Sequence, residues 1–173
     1  MKLITLLYLL IFTACADSKK NPESTDNDTL TSTYYFIRHA EKDRSNPSND
    51  NPNLLEIGEQ RAERWSKTFE GIDFDAVYAT NFNRTQATGM PTAKKNNLQL
   101  TIYDPNNIDV EKFLEDTKGK TILVVGHSDS TPKFVNTILG EQKHEAIDDD
   151  NNANLYKVTI NGDTKTSELT VVN

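Results

Sequence analysis

Three short segments hold the side chains that could do chemistry. Arg38-His39-Ala40-Glu41 directly follows the apolar run Tyr34-Tyr35-Phe36-Ile37. Thr80-Asn81-Phe82-Asn83-Arg84-Thr85-Gln86-Ala87-Thr88-Gly89 sits in the middle of the chain, and Gly126-His127-Ser128 follows the apolar run Thr121-Ile122-Leu123-Val124-Val125. An imidazole is a nucleophile and a proton carrier near neutral pH. A guanidinium is a planar fork of donors matched to phosphate oxygens, which a lysine is not. Two of each suit phosphoryl transfer, where a protein supplies a nucleophile, alignment and positive charge for the oxygens, with no metal and no cofactor required. An Arg-His pair alone is a weak signal; the weight comes from two of the three histidines falling directly after apolar runs. His144 lies in a polar connection and reads as a surface residue.

Such residues need elements to position them. A short continuous apolar run is the signature of a strand buried on both faces of a parallel sheet, which predicts strands over 34–37 and 121–125. Weaker runs predict strands over 75–79, 98–103, 155–160 and 167–172, and amphipathic periodicity predicts helices over 54–69, 84–96, 109–117 and 131–139. Strands alternating with helices imply an α/β domain: a three-layer α/β/α sandwich with a mostly parallel central sheet. Asn161-Gly162-Asp163 is turn chemistry and makes the last two strands a terminal antiparallel hairpin. In such sheets the ligand site lies beyond the carboxyl ends of the strands, where both histidines fall. Arg84 falls near a helix start, where free N–H groups already favour an anion.

In this order and context, Arg-His-Ala-Glu, Thr-x-Phe-x-Arg-Thr-x-x-Thr-Gly and Gly-His-Ser resemble the three signatures of the histidine phosphatase (phosphoglycerate mutase-like) superfamily. Asn51-Pro52-Asn53-Leu54-Leu55-Glu56-Ile57-Gly58-Glu59-Gln60-Arg61-Ala62 resembles the segment that opens its second element, and the resemblance runs from Tyr34 onward. Size and motif style are similar to those of the small SixA-type phosphohistidine phosphatases. The resemblance implies a phosphoglycerate mutase-like fold and hydrolysis of phosphomonoesters, phosphoramidates or phosphoanhydrides. His39 is similar to the nucleophilic histidine that takes the phosphoryl group, and Arg38, Arg84 and His127 match the set that binds it. The positive field is expected to depress the pKa of His39 and keep its attacking nitrogen unprotonated. Ser128, through its backbone N–H, and Thr80, as a buttress, are expected on the substrate side. Glu41 either orients Arg38 or a substrate hydroxyl, or makes a structural ion pair.

Many members carry a glutamate acid after the third strand. Here that region is Tyr103-Asp104-Pro105-Asn106-Asn107-Ile108-Asp109-Val110-Glu111, and Asp104, Asp109, Glu111 and Asp129 are the candidates for the acid. The competing reading is a phosphate-binding lipoprotein with little or no turnover. A more distant one is a metal-dependent hydrolase using His39, Glu41, His127 and Asp129.

The first residues carry a different message. Lys2 and the apolar stretch 3–12 are too short to span a bilayer and end in Phe12-Thr13-Ala14-Cys15. Residues 1–15 are therefore expected to be a signal peptide with a lipobox, lipidated at Cys15. Residues 16–31, with almost nothing apolar, are expected to be a flexible tether, and residues 32–173 the catalytic domain. The protein is expected to be exported and lipid-anchored to the bacterial cell envelope, meeting the membrane through Cys15. No cysteine follows position 15, so the domain can hold no internal disulfide. An apolar share of 35% and a charged share of 26% suit one packed domain, and the formal charge of −7 argues against nucleic acid as a partner. A small phosphorylated substrate is the expected partner, and self-association is left open.

Overall fold

The computed structural model describes residues 30–173. The expected signal peptide, Cys15 and nearly all of the tether lie outside the described residues; Thr31, placed at the end of the tether, opens the first strand. Ten elements follow in order: β1 (Thr31–Arg38), α1 (Glu56–Thr68), β2 (Ala76–Thr80), α2 (Asn83–Lys95), β3 (Leu100–Tyr103), α3 (Val110–Asp116), β4 (Thr121–Gly126), α4 (Ser130–Leu139), β5 (Asn154–Asn161) and β6 (Thr164–Val171).

The strands form one six-stranded sheet in the order β3-β2-β4-β1-β5-β6. β3, β2, β4 and β1 run parallel, and β5 and β6 add the antiparallel hairpin turned by Gly162 at φ 57°. Side chains of β1 and β4 alternate between the two faces because the strand period is two. Tyr34, Phe36, Ile122 and Val124 face one core, shared with Phe113 of α3 and Phe134, Val135 and Ile138 of α4. Ile37, Leu123 and Val125 face the other, shared with Trp65 of α1, Phe69 just past its end, and Ala93 of α2. This is a three-layer α/β/α sandwich with a mostly parallel sheet. Burial on both faces is why the two central strands read as unbroken apolar runs, at roughly 1.5–3 kcal/mol for each large side chain removed from water. β6, at the edge, is almost wholly exposed and carries Lys165 and Glu168, charges that discourage further strand pairing.

The parallel register sets the site. Arg38 pairs with Gly126 across β1 and β4, and Ala79 of β2 pairs with Val125 on the other side of β4. Three carboxyl ends therefore lie side by side, carrying Arg38-His39, Gly126-His127 and Thr80.

Candidate active site

The side chains beyond these strand ends line a cleft of about 450 Å³ that includes Arg38, His39, Lys42, Arg84, His127 and Ser128. A larger groove, about 610 Å³, lies at the other end of β1 against Leu30, Ser32 and Tyr34; it carries neither a histidine nor an arginine. Chemistry, not volume, singles out the first.

His39 directly follows β1 and is 3% exposed. Its backbone is held on both sides: its N–H donates to the Gly126 carbonyl at 3.0 Å, and its own carbonyl accepts from Asn152 Nδ2 at 2.7 Å. Its ring Nδ1 lies 2.7 Å from the Ala40 carbonyl, which can only accept, so Nδ1 carries the proton and Nε2 keeps its lone pair. Burial lowers the His39 pKa to about 3; the charges of Arg38, Arg84 and His127 act in the same direction, and the bond to Ala40 works against them. The expected depression is present, with burial rather than the arginine field as its main cause.

His127 stands close by, the two rings 5.5 Å apart between centroids. Its Nε2 meets Thr80 Oγ1 at 2.9 Å, and Thr80 Oγ1 meets Thr85 Oγ1 at 2.9 Å. Thr85 Oγ1 also sits 2.9 Å from the carbonyls of Thr80 and Phe82, to which it can only donate. The Thr85 hydroxyl thus accepts from Thr80, and Thr80 accepts from His127 Nε2–H. Burial, chiefly, and the charges of Arg84, Lys42 and Arg38 lower the His127 pKa to about 4, against the opposing pull of Asp129. The turn carrying it needs Gly126, since a Cβ there would come within 2.6 Å of Thr131 Oγ1.

The two arginines differ in how they are held. Arg38, 2% exposed, donates through Nη1 to the carbonyls of Asp148 and Asn151 and through Nη2 to Asp149 at 2.8 Å. Arg84, 9% exposed, makes one long 3.3 Å bond to the Asp50 carbonyl and stacks 4.3 Å over the Phe82 ring. The Nε of each is buried without a partner among the described residues. Burial and the charge of Arg38 lower the Arg84 pKa. An under-bonded Arg84 guanidinium next to the like charge of Arg38 and beside a neutral histidine leaves room for an anion.

The other expected substrate-side residues fall differently. Thr80 lies beneath His127 as a buttress, and Ser128 lines the cleft. Of the two readings of Glu41, the structure has the ion pair: its carboxylate accepts from Arg61 Nε at 2.8 Å, and Glu41 is not among the residues lining the cleft. Among the described residues no group of three or more His, Cys, Asp or Glu side chains is arranged to hold a metal ion. Of the four acid candidates, Asp104, Asp109 and Glu111 lie outside the cleft lining. Asp104 closes a turn onto Asn106 and Asn107, Asp109 caps α3 through the Lys112 N–H, and Glu111 is exposed on the first turn of α3. Asp129 lines the cleft and accepts from the Ser130 N–H.

Sequence reasoning missed a second group. Asp149 bridges Arg38 and Arg44, Thr88 Oγ1 accepts from the Ala40 N–H, and Asn152 holds the His39 carbonyl. The connection 141–153 that brings Asp149 and Asn152 here is organised by buried Asn136, whose Oδ1 accepts from the N–H groups of Lys143 and His144 and whose Nδ2 donates to the His144 carbonyl. The signal for these partners was slight: Thr88 stands inside the middle motif, and Asn152 is one polar residue in a polar run.

Fold and site together define a class: a phosphoglycerate mutase-like α/β protein with a histidine-and-arginine cleft at the carboxyl ends of its parallel strands. Residues 34–105, the segment holding Arg38, His39, Thr80 and Arg84, match the family described as histidine phosphatase superfamily (branch 1), the same superfamily that the motifs resemble. No match is found among curated proteins. Among solved structures, the protein histidine phosphatase SixA complexed with tungstate superposes with a TM-score of 0.65 at 14% identity, covering 80% of this chain and 96% of that one. Phosphoserine phosphatase from Entamoeba histolytica, with phosphoserine bound, gives 0.61 at 10% identity over 79% and 94%. A mycobacterial glucosyl-3-phosphoglycerate phosphatase gives 0.60 at 10% identity over 83% and 99%. These likenesses establish the fold.

Proposed function

We propose that the protein is a phosphatase that hydrolyses phosphomonoesters, or phosphoramidates and phosphoanhydrides, through a phosphohistidine on His39, without a metal. The observation that carries this reading is the tautomer of His39: Nδ1 is tied to the Ala40 carbonyl, so Nε2 holds a free lone pair in a cleft shared with Arg38, Arg84 and His127. In the first step Nε2 attacks phosphorus in line and the leaving group departs; in the second, water takes the phosphoryl group from nitrogen. Arg38 and Arg84 neutralise the oxygens in both steps. His127, with Nε2–H held by Thr80, donates to an oxygen through Nδ1 once the dianion has made it an imidazolium.

The family match and the likeness to structures named as a protein histidine phosphatase and a phosphoserine phosphatase support this reading. Its test is phosphate release in EDTA from p-nitrophenyl phosphate, phosphoramidate, sugar phosphates and nucleotides. Turnover by the wild type that vanishes in His39→Ala is expected. Folded wild-type protein that binds vanadate but turns over none of these would favour a phosphate-binding role instead.

The site of action proposed here is the cell envelope, with the chain exported and lipidated at Cys15. This rests on the apolar stretch 3–12 and on Phe12-Thr13-Ala14-Cys15. Labelled palmitate should enter the full chain and not Cys15→Ser; equal labelling of the two would refute it.

A further inference from the structure

An oxygen leaving group departs as an alkoxide unless something protonates it, and most carboxylates near this cleft are held by other partners. Asp104 and Asp109 are spent on a turn and a helix cap, and Glu41 on Arg61. Asp129 accepts from the Ser130 N–H. Asp149 is bonded to both Arg44 and Arg38, which hold its carboxyl well below the usual range, so it carries no proton near neutral pH.

Lys42 lines the same cleft, half-buried, and none of the ion pairs among the described residues uses it. Its backbone is clamped. Lys42 bridges Leu54 in antiparallel fashion, the Asp43 N–H donates to the Asn53 carbonyl at 2.9 Å, and the Leu55 N–H donates to the Glu41 carbonyl at 2.9 Å. α1 presses on the same stretch at Gly58, where a Cβ would stand 2.3 Å from the Glu41 oxygen. A clamped backbone three residues beyond His39 fixes the point from which the Lys42 side chain lines the cleft.

We propose that Lys42 is the proton donor to the leaving oxygen, a role that rests on the phosphohistidine reading above. As the P–O bond to the leaving group breaks and the P–Nε2 bond forms, the ammonium gives a proton to the departing oxygen and becomes a neutral amine. The amine then takes a proton from water while the water oxygen attacks phosphorus. The P–N bond breaks, its electron pair returns to Nε2, and the ammonium is restored as phosphate leaves. Burial, first, and then the charges of Arg84 and Arg44 lower the Lys42 pKa; Asp149 opposes them and Arg38 adds to them. His127 faces it as well, near enough that Lys42 depresses its pKa. An ammonium made less basic gives up and recovers a proton more readily than an ordinary lysine.

The test compares wild type, Lys42→Met and Lys42→Arg on p-nitrophenyl phosphate, phenyl phosphate and an alkyl phosphate. General acid catalysis is worth about 10²- to 10⁴-fold, and an activated aryloxide needs little of it. Lys42→Met should lose about 10²-fold or more in kcat/KM on the alkyl ester and less than about 10-fold on p-nitrophenyl phosphate. Lys42→Arg keeps the charge but cannot release a proton, so it should behave as Lys42→Met does. Equal losses on all three esters, or rescue by arginine, would show a purely electrostatic contact and overturn the assignment. Absence of His39-dependent turnover of p-nitrophenyl phosphate by the wild type would instead overturn the phosphatase reading, and this role with it.

Discussion

Arg84 shows most clearly what single residues do in this site. Its guanidinium is buried, has one long hydrogen bond, leaves Nε without a partner among the described residues and feels the like charge of Arg38. Among the described residues the Phe82 ring and the Asp50 carbonyl offset that arrangement only in part, whereas an incoming phosphate would complete it. Arg84→Met keeps the stem over the Phe82 ring and removes the charge. It should leave the urea midpoint unchanged or raise it, while kcat/KM on any phosphate ester falls by about 10²- to 10³-fold, the usual cost of losing one preorganised charge donor. A lowered midpoint with intact activity would mean that the guanidinium is structural. Arg38 is the contrast: three bonds into the connection 148–151 make it a structural hub as well, so its substitution would confound folding with binding.

At the level of elements, the site is built by strand register and by close approaches that register permits. Arg38 opposite Gly126 puts the two histidines on neighbouring strand ends, and the contact of Gly58 with the Glu41 carbonyl seats α1 against the segment that carries Ala40 and Lys42. Gly58→Ala inserts a Cβ where backbone already stands. It should destabilise the protein by about 1–3 kcal/mol, as overpacking does, and displace the 40–42 segment; urea unfolding and kcat on an alkyl phosphate would report the two effects. An unchanged midpoint would show that α1 can shift without cost. These elements were legible in the sequence because the central strands, buried on both faces, read as plain apolar runs and the reactive residues come directly after them. The connection 141–153 was not legible. Its course is set by one buried asparagine of α4 and by Arg38 more than 100 residues away in sequence, contacts that no local pattern announces. The partner of Glu41 was hidden for the same reason, since which carboxylate meets which arginine is decided by tertiary packing.

Over the whole molecule, a chain of formal charge −7 keeps two arginines and a lysine around one cleft, so anionic substrates are drawn to a single place. Stability should carry the mark of the same site. Unfolded histidines take up protons below about pH 6.5, whereas folded His127 does so only near about 4 and His39 near about 3. Between those limits the unfolded chain binds more protons, so this contribution is complete above about pH 6.5 and is lost as the pH falls toward the folded values. His39→Gln should therefore flatten the decline of the urea midpoint between pH 6.5 and 4.5 relative to wild type; parallel declines would mean that His39 is not held neutral. The central claim, that His39 carries the phosphoryl group, is tested most directly by mixing the protein with labelled phosphoramidate, quenching in alkali and mapping the label by peptide mass. Label on the peptide containing His39, absent in His39→Ala, is the expected result. Phosphate release by the wild type with no label on that histidine at any quench time, and undiminished in His39→Ala, would contradict it.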